Sequence, residues 1–322
     1  MRKFLLLLFF ISVTYLAKGQ GIQFSFTKSL CLSEKPFGQL HGISGIDYNA
    51  STKEWHWVND RGVYFLIKNI ESIEDFQMQQ DSLIGKSTIY WFESIRIDPT
   101  TGRFIFSVEN EFTPHWQNHQ TSTYVSYFDK SPPKSTKLKY IIPPMDLPAD
   151  NSGIEAIALT NQGKLWVAPE RGWKGETVSK KVLFKRYKFH NDGYLSDGEF
   201  HYEIEKEICP NTPMKDSEGI SEILAITEDK LLVLERCYDN VSTRPKIVKA
   251  KLWEATISGN KLIKSATPAF DFNASLPFIP DNLEAMAWWP NETGKRQLLL
   301  VTDDNPGTVN RQKTQLILLT EQ

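Results

Sequence analysis

One pattern constrains this chain more than any other: a carboxylate-headed hairpin that recurs from one end to the other. It is fullest between Asp150 and Arg171, DNSGIEAIALTNQGKLWVAPER. Glu155 opens the apolar run Ala156–Leu159, the turn Asn161-Gln162-Gly163 follows, and a second run, Leu165–Ala168, ends on Glu170 and Arg171. Both runs have strand length and are bounded by turn residues, which reads as a β-hairpin. A hairpin brings its ends together, so Glu155 and Glu170 are expected side by side, away from the turn.

The same arrangement occurs elsewhere. Phe92-Glu93-Ser94-Ile95 leads through Pro99–Gly102 to Phe104–Glu109. Ser217-Glu218-Gly219-Ile220 leads to Leu231–Leu234, Glu235 and Arg236, and Asn282-Leu283-Glu284 leads to Leu298–Val301 and Asp303. A weaker first copy runs from Gly42-Ile43-Ser44-Gly45-Ile46 to Asn59-Asp60-Arg61, with Ser44 in place of the glutamate. From Ser44 the steps are 49, 62, 63 and 66 residues, close to one propeller blade each with insertions. Further strands follow within the units, among them Val63–Ile67, Thr123–Phe128, Val182–Phe189 and Ile247–Ile257. Glu71–Gln80 reads as a loop or outer strand, and Pro132-Pro133 and Pro143-Pro144 as punctuation between units. The last unit offers three strands, and the alternating segment 22–32 can supply its fourth. The expected fold is all-β, a β-propeller with five blades favoured over six, its ring closed by N- and C-terminal strands in one blade.

A net charge of −2 over 322 residues gives no field to attract nucleic acid or an anionic membrane. Residues 1–20 read as a signal peptide: Arg2-Lys3 precede the apolar core Phe4–Val13, with small residues at Ala17 and Gly19. That core is shorter than the roughly 20 residues of a membrane span. A secreted or periplasmic protein follows, with one propeller domain over 21–322, no membrane span and a monomeric state. Cys209 and Cys237 flank the fourth hairpin. An exported chain can bridge them and leave Cys31 as a thiol, or keep three thiols. His115 and His119 sit in an insertion without helical pattern and read as loop residues, and His41 has no assigned role. No Gly-x-Ser-x-Gly elbow is present for a serine esterase.

In a propeller the first strand of each blade lines the channel. Glu93, Glu109, Glu155, Glu170, Glu218, Glu235, Glu284 and Asp303 would then share one mouth with Asp60, while Arg61, Arg171 and Arg236 follow three of the acids directly. Clustered carboxylates raise one another's pKa unless compensated. A hard cation such as Ca²⁺, which takes six to eight oxygen ligands, is one compensation; Glu–Arg pairs that tie the blades together are the other. The segments Gly42–Ile46 with Asn59–Gly62, Ile154–Ala158 with Glu170–Gly172, and Asp216–Ile220 with Glu235-Arg236 resemble the phytase-like domain family, across roughly residues 38 to 305. The resemblance implies a secreted propeller and hydrolysis of phosphoric esters, and members are also described as having esterase-like activity. Metal-assisted hydrolysis of a small ester or phosphoester is therefore expected. The eight acids named first are its candidate calcium ligands, and Glu155, Glu218 and Asp60 its candidate catalytic groups, one of them a general base. Arg61, Arg171, Arg236 and Lys174 are candidates to hold the phosphate. Two alternatives are a non-catalytic binding propeller, with Trp57, Trp116, Trp166 and Trp173 at its mouth, and a sugar-lactone-type hydrolase with one central ion.

Overall fold

A computed structural model describes residues 21–32, 40–78, 83–86, 90–111, 122–129, 139–146, 153–173, 181–205, 218–239, 247–291, 294–304 and 312–322. The segment 1–20 expected to be a signal peptide, Lys174, Cys209, His115, Trp116, His119 and Pro132-Pro133 lie outside the described residues.

The chain opens with β1 (Phe24–Cys31). An antiparallel meander follows, β2 (Ile43–Asn49), β3 (Glu54–Asn59), β4 (Val63–Lys68) and β5 (Leu83–Lys86), and then another, β6 (Tyr90–Ile97), β7 (Phe104–Glu111), β8 (Ser122–Phe128) and β9 (Lys139–Asp146). A nine-stranded sheet contains two more: β10 (Ala156–Leu159), β11 (Lys164–Ala168), β12 (Lys181–His190) and β13 (Gly193–Glu203), then β14 (Glu218–Thr227), β15 (Lys230–Asp239), β16 (Ile247–Ser258) and β17 (Lys261–Lys264). A short parallel pairing of β13 with β17 joins them, and β18 (Phe270–Asp271) adds to β16. The last sheet holds β19 (Asn282–Trp289), β20 (Gln297–Asp303) and β21 (Gln315–Glu321), and its other edge is β1, antiparallel to β21. The two ends of the chain thus share one sheet, which pairs the edge that β21 would otherwise present.

The first strand of each meander lies innermost. β2 packs on β6, β6 on β10, β10 on β14, β14 on β19, and β19 back on β2, so the inner strands close a ring. The fold is a β-propeller. Each sheet is covered on both faces, which is why strands such as Leu298–Val301 are buried at every residue instead of alternating. The core is layered between neighbouring sheets: Val58 and Tyr64 pack with Phe92 and Phe106, and Val182 and Phe184 with Ile220 and Ile223. On the inner strands the core positions Ala156, Ala158, Ala285 and Ala287 are small and fully buried, as converging sheets require near an axis.

Two details differ from the sequence reading. Ile73–Met78 is a 3-10 helix, and Phe76 on it packs against Trp55 and Trp57. Pro143-Pro144 lies within β9, the outermost strand of its sheet, where a missing N–H forfeits no ladder bond. Cys237 is disulfide-bonded; its expected partner Cys209 is outside the described residues.

Candidate functional site

Residue pairing fixes which side chains share the channel. The inner strand of a hairpin carries an irregularity one residue long, with Ser44, Glu93, Ser221 and Glu284 as the extra residue opposite β3, β7, β15 and β20. Such a bulge leaves one residue unpaired and re-aims it. Glu155 holds the same place just before β10, because Ala156 opposite Ala168 matches Ala285 opposite Val301. The same register aligns Asp60, Glu109, Glu170, Arg236 and Asp303 at the end of the second strands. One mouth of the channel is therefore built from Ser44, Glu93, Glu155, Ser221 and Glu284 on one tier and these five on the other. Seven of the ten carry carboxyls, against one guanidinium.

Glycines make room for them. A Cβ on Gly219 would come within 2.5 Å of the Glu170 Cγ, and one on Gly153 within 2.7 Å of the Glu109 Cγ. Each belongs to the inner segment of the unit following the acid it faces. Gly42 has φ +63, and a Cβ there would strike the Asp60 carboxylate. Main-chain bonds complete the frame: Glu170 N–H donates to Gly153 O at 3.1 Å, Ile220 N–H to Glu170 O at 2.9 Å, and Asp60 N–H to Gly42 O at 3.1 Å.

The acids disturb one another. Burial pushes Glu93 and Glu155 well above the ordinary carboxyl range, and the charges of neighbours push further: Glu155, Glu109, Glu284 and Asp60 on Glu93, and Glu109 and Glu170 on Glu155. Glu93 and Glu155 share a side-chain hydrogen bond, which two carboxyls form only around a shared proton. Burial, with Glu170 beside it, raises Glu109 to about 8. Burial raises Glu284 to about 8 against the pull of Arg236. Burial raises Glu170 against Arg171 and Arg236, and burial with Asp304 nearby raises Asp60 to about 6. Burial opposes the charge on Arg236, but Glu284, Glu170, Glu155 and Asp303 outweigh it and drive its pKa up. Glu109 Oε1 and Asp60 Oδ1 are buried without a hydrogen-bond partner. Oxygen donors of this kind suit a hard divalent cation, but among the described residues no three acids stand in a group that could hold one.

Comparison with known proteins places the chain in a family. The family model described as "Phytase-like: Esterase-like activity of phytase" matches residues 38–306. The chain belongs to the phytase-like family. No curated protein matches the phytase-like chain in sequence. Among solved structures, a glucose dehydrogenase is similar at 11% identity and TM-score 0.50, covering 90% of this chain and 99% of its own. A second glucose dehydrogenase has 10% identity, coverages of 91% and 99%, and TM-score 0.49. The soluble aldose sugar dehydrogenase of Escherichia coli has 10% identity, coverages of 92% and 99%, and TM-score 0.48. At such identities the likeness concerns the fold alone.

Within the phytase-like ring, most of the acids expected from sequence meet. Glu93, Glu109, Glu155, Glu170, Glu284 and Asp60 act on one another, and Asp303 acts on Arg236. Glu235 does not join them and is corrected. It accepts from Tyr202 Oη at 2.7 Å and from Glu205 N–H at 3.0 Å, and it pairs with Lys264. Successive strand residues face opposite ways, so with Arg236 turned to the channel, Glu235 enters the sheet-to-sheet layer. Glu218 pairs with Cys237 three residues before the bulge, and Ser221 takes the position expected for it. The Gly-Ile pair preceding Ser44, Glu155 and Ser221 carries the true register; alignment on the glutamates slips it.

The arginines divide by task. Arg236 Nη2 lies 3.1 and 3.2 Å from the Glu284 oxygens, and Nη1 donates to Asn282 Oδ1. Arg171 lies 3.4 Å from Glu170. Arg61 is 3.7 Å from Asp60 and more than half exposed. Trp57 and Trp166 are wholly buried and Trp173 nearly so, its indole donating to Leu183 O at 2.6 Å. These aromatics build the core and do not face the mouth. Sequence reasoning missed two neighbours of the ring. His41 Nδ1 meets Asp304 Oδ2, whose other oxygen accepts from Gly42 N–H at 2.8 Å. Deeper in the channel, Arg96 pairs with Glu222 at 2.9 Å and donates to Ile46, Ile95 and Ile223 carbonyls.

Proposed function

We propose that the acidic mouth is the active site of an ester hydrolase, assisted by a hard divalent cation such as Ca²⁺ and acting on phosphoric or other small esters. The observation that carries this reading is the excess of buried carboxyls at one mouth, pushed up in pKa by burial and by each other, with oxygens on Glu109 and Asp60 left without hydrogen-bond partners. A purely structural ring would pair its acids with as many cations, whereas the ten described ring positions hold one guanidinium, Arg236, with Arg171 and Arg61 beside Glu170 and Asp60. Glu93, Glu109, Glu155 and Glu284 would have to draw together to hold the cation, since no three of the described acids stand as a ready-made site. When bound, the cation supplies Lewis-acid polarisation of the ester oxygen and a more acidic water.

The side chains divide the remaining work. Arg61, at the exposed rim, orients an anionic ester group with its guanidinium fork. Asp60, held near 6, keeps a proton-accepting carboxylate at neutral pH and serves as general base. Arg236 and Arg171 keep Glu284 and Glu170 in place. Glu155 shares a proton with Glu93, and Glu218 stands at the rim. We read the propeller as five-bladed, supported by the inner-strand ring that closes with β19 on β2, and as one domain over 21–322. We also propose export, with residues 1–20 removed; the disulfide at Cys237 supports an oxidising compartment. No helix among the described residues is long and apolar enough to cross a membrane.

The test is turnover of a generic phosphomonoester and a generic carboxylic ester by the purified protein, with calcium and after chelation. Cation-dependent turnover lost in Glu155→Gln and Asp60→Asn variants that still fold is the expected result. A folded, calcium-loaded protein inert to both esters overturns the reading in favour of a binding propeller.

A further inference from the structure

The channel has a second mouth, at the C-terminal ends of the inner strands, opposite the acids. It opens into a cavity of about 620 Å³, lined by the last residues of β2, β6, β10, β14 and β19. That volume lies within the range of small-molecule sites. The Arg96–Glu222 pair lies between the two mouths. Arg96 is 2% exposed and spans from β6 to the carbonyls of Ile46 on β2 and Ile223 on β14, so the cavity does not depend on the chemistry of the acidic mouth.

The lining decides what fits. Its floor offers a buried donor and a carboxylate acceptor, Arg96 and Asp47, and the Arg96 Nε has no hydrogen-bond partner. The wall carries Trp288 and Trp289, and the rim carries Asn161 and Thr227. The charge balance speaks against an anion. Arg96 faces both Glu222 and Asp47, and Arg296 is held by Glu321 at 2.7 Å. Among the described residues, Lys53 is the lining cation with no carboxylate within ion-pair distance. A paired donor and acceptor on the floor, with amide and hydroxyl groups on the rim beside indoles, match a polyhydroxylated ring, whose hydroxyls are bonded in the ring plane and whose C–H face lies on an aromatic.

We propose that this second mouth is a binding site for a neutral polyhydroxylated ligand of one or two sugar-sized rings, separate from the ester site. The probes are glucose, maltose, cellobiose and myo-inositol, titrated into the full chain by tryptophan fluorescence and calorimetry, with inorganic phosphate in parallel. Saturable binding of at least one neutral probe is expected. It should weaken about tenfold or more in Asp47→Asn, weaken in the exposed-rim variant Asn161→Ala, and stay unchanged in Glu155→Gln. The Asn161→Ala arm keeps the test intact if Asp47→Asn fails to fold. Three results overturn the proposal: no response to any neutral probe at concentrations that saturate a millimolar site; binding indifferent to both Asp47→Asn and Asn161→Ala; or a preference for phosphate that Lys53→Ala abolishes. Absence of ester turnover in the unsubstituted protein, with sugar binding intact, would sink the ester reading alone.

Discussion

Replacing Glu109 by Gln tests the electrostatics of the mouth most directly. The folded protein holds a proton on Glu109 up to about pH 8, whereas the unfolded chain releases it near 4.5. Between those values the native state binds more protons than the unfolded state, so this group's stabilisation is complete below 4.5 and is lost as pH rises through about 8. Each pH unit in the window is linked to about 1.4 kcal/mol, and the full window to about 5 kcal/mol. Gln cannot ionise, and its removal also relieves Glu93 and Glu155, on which Glu109 acts. The assay is urea unfolding in chelator at pH 5, 7 and 9. At pH 5 the two proteins should differ little. By pH 9 Glu109→Gln should be more stable by about 3–5 kcal/mol. Calcium should then stabilise the wild type more than the variant, since the cation replaces the proton. Parallel stability curves across pH, or a variant that weakens as pH rises, would refute the claim that the mouth stores uncompensated acid.

Other perturbations separate the frame from the chemistry. Gly219→Ala drives a methyl to within 2.5 Å of Glu170 and should cost about 1–3 kcal/mol, seen as a lower urea midpoint; an unchanged midpoint would mean that Glu170 does not sit against β14. Glu222→Ala strands a buried Arg96 and should cost about 3–5 kcal/mol, much of it recovered by the apolar pair Arg96→Met with Glu222→Leu, again by equilibrium unfolding. Deleting β1 leaves the edge of β21 unpaired, so the truncated chain should self-associate in light scattering. Arg61→Ala should raise KM for an anionic ester with little effect on a neutral one, whereas an equal effect on both would remove its anion-holding role.

Much of the architecture was legible because hairpins write themselves locally. Apolar runs of strand length and the turns between them are short-range features, and their recurrence exposed the repeat. The segment before the first repeat could be recognised as a missing strand because the last unit was one short, and β1 does pair with β21. Less legible were the strands whose sequence lacks alternation. β9 contains two prolines and β5 is four residues long, and both are the outermost strands of their sheets, where pairing on one side only relaxes the pattern. The fourth repeat was misread by a shift: Glu218 matched the expected letter, while the bulge put Ser221 in the expected place.

The sequence by itself determined that the chain is all-β, that it repeats, that it belongs with phytase-like proteins, and that acids recur at fixed points of each hairpin. Those properties depend on neighbours within about twenty residues. Only the tertiary structure decided which acids meet. A strand residue faces one side or the other by a register of two, and one bulged residue reverses it, so Arg236 enters the channel and Glu235 leaves it. Tertiary structure also brought together Arg96 and Glu222, and His41 and Asp304, pairs separated by more than a hundred residues of chain. No local pattern announces such a contact, because its partners are chosen by the closure of the ring.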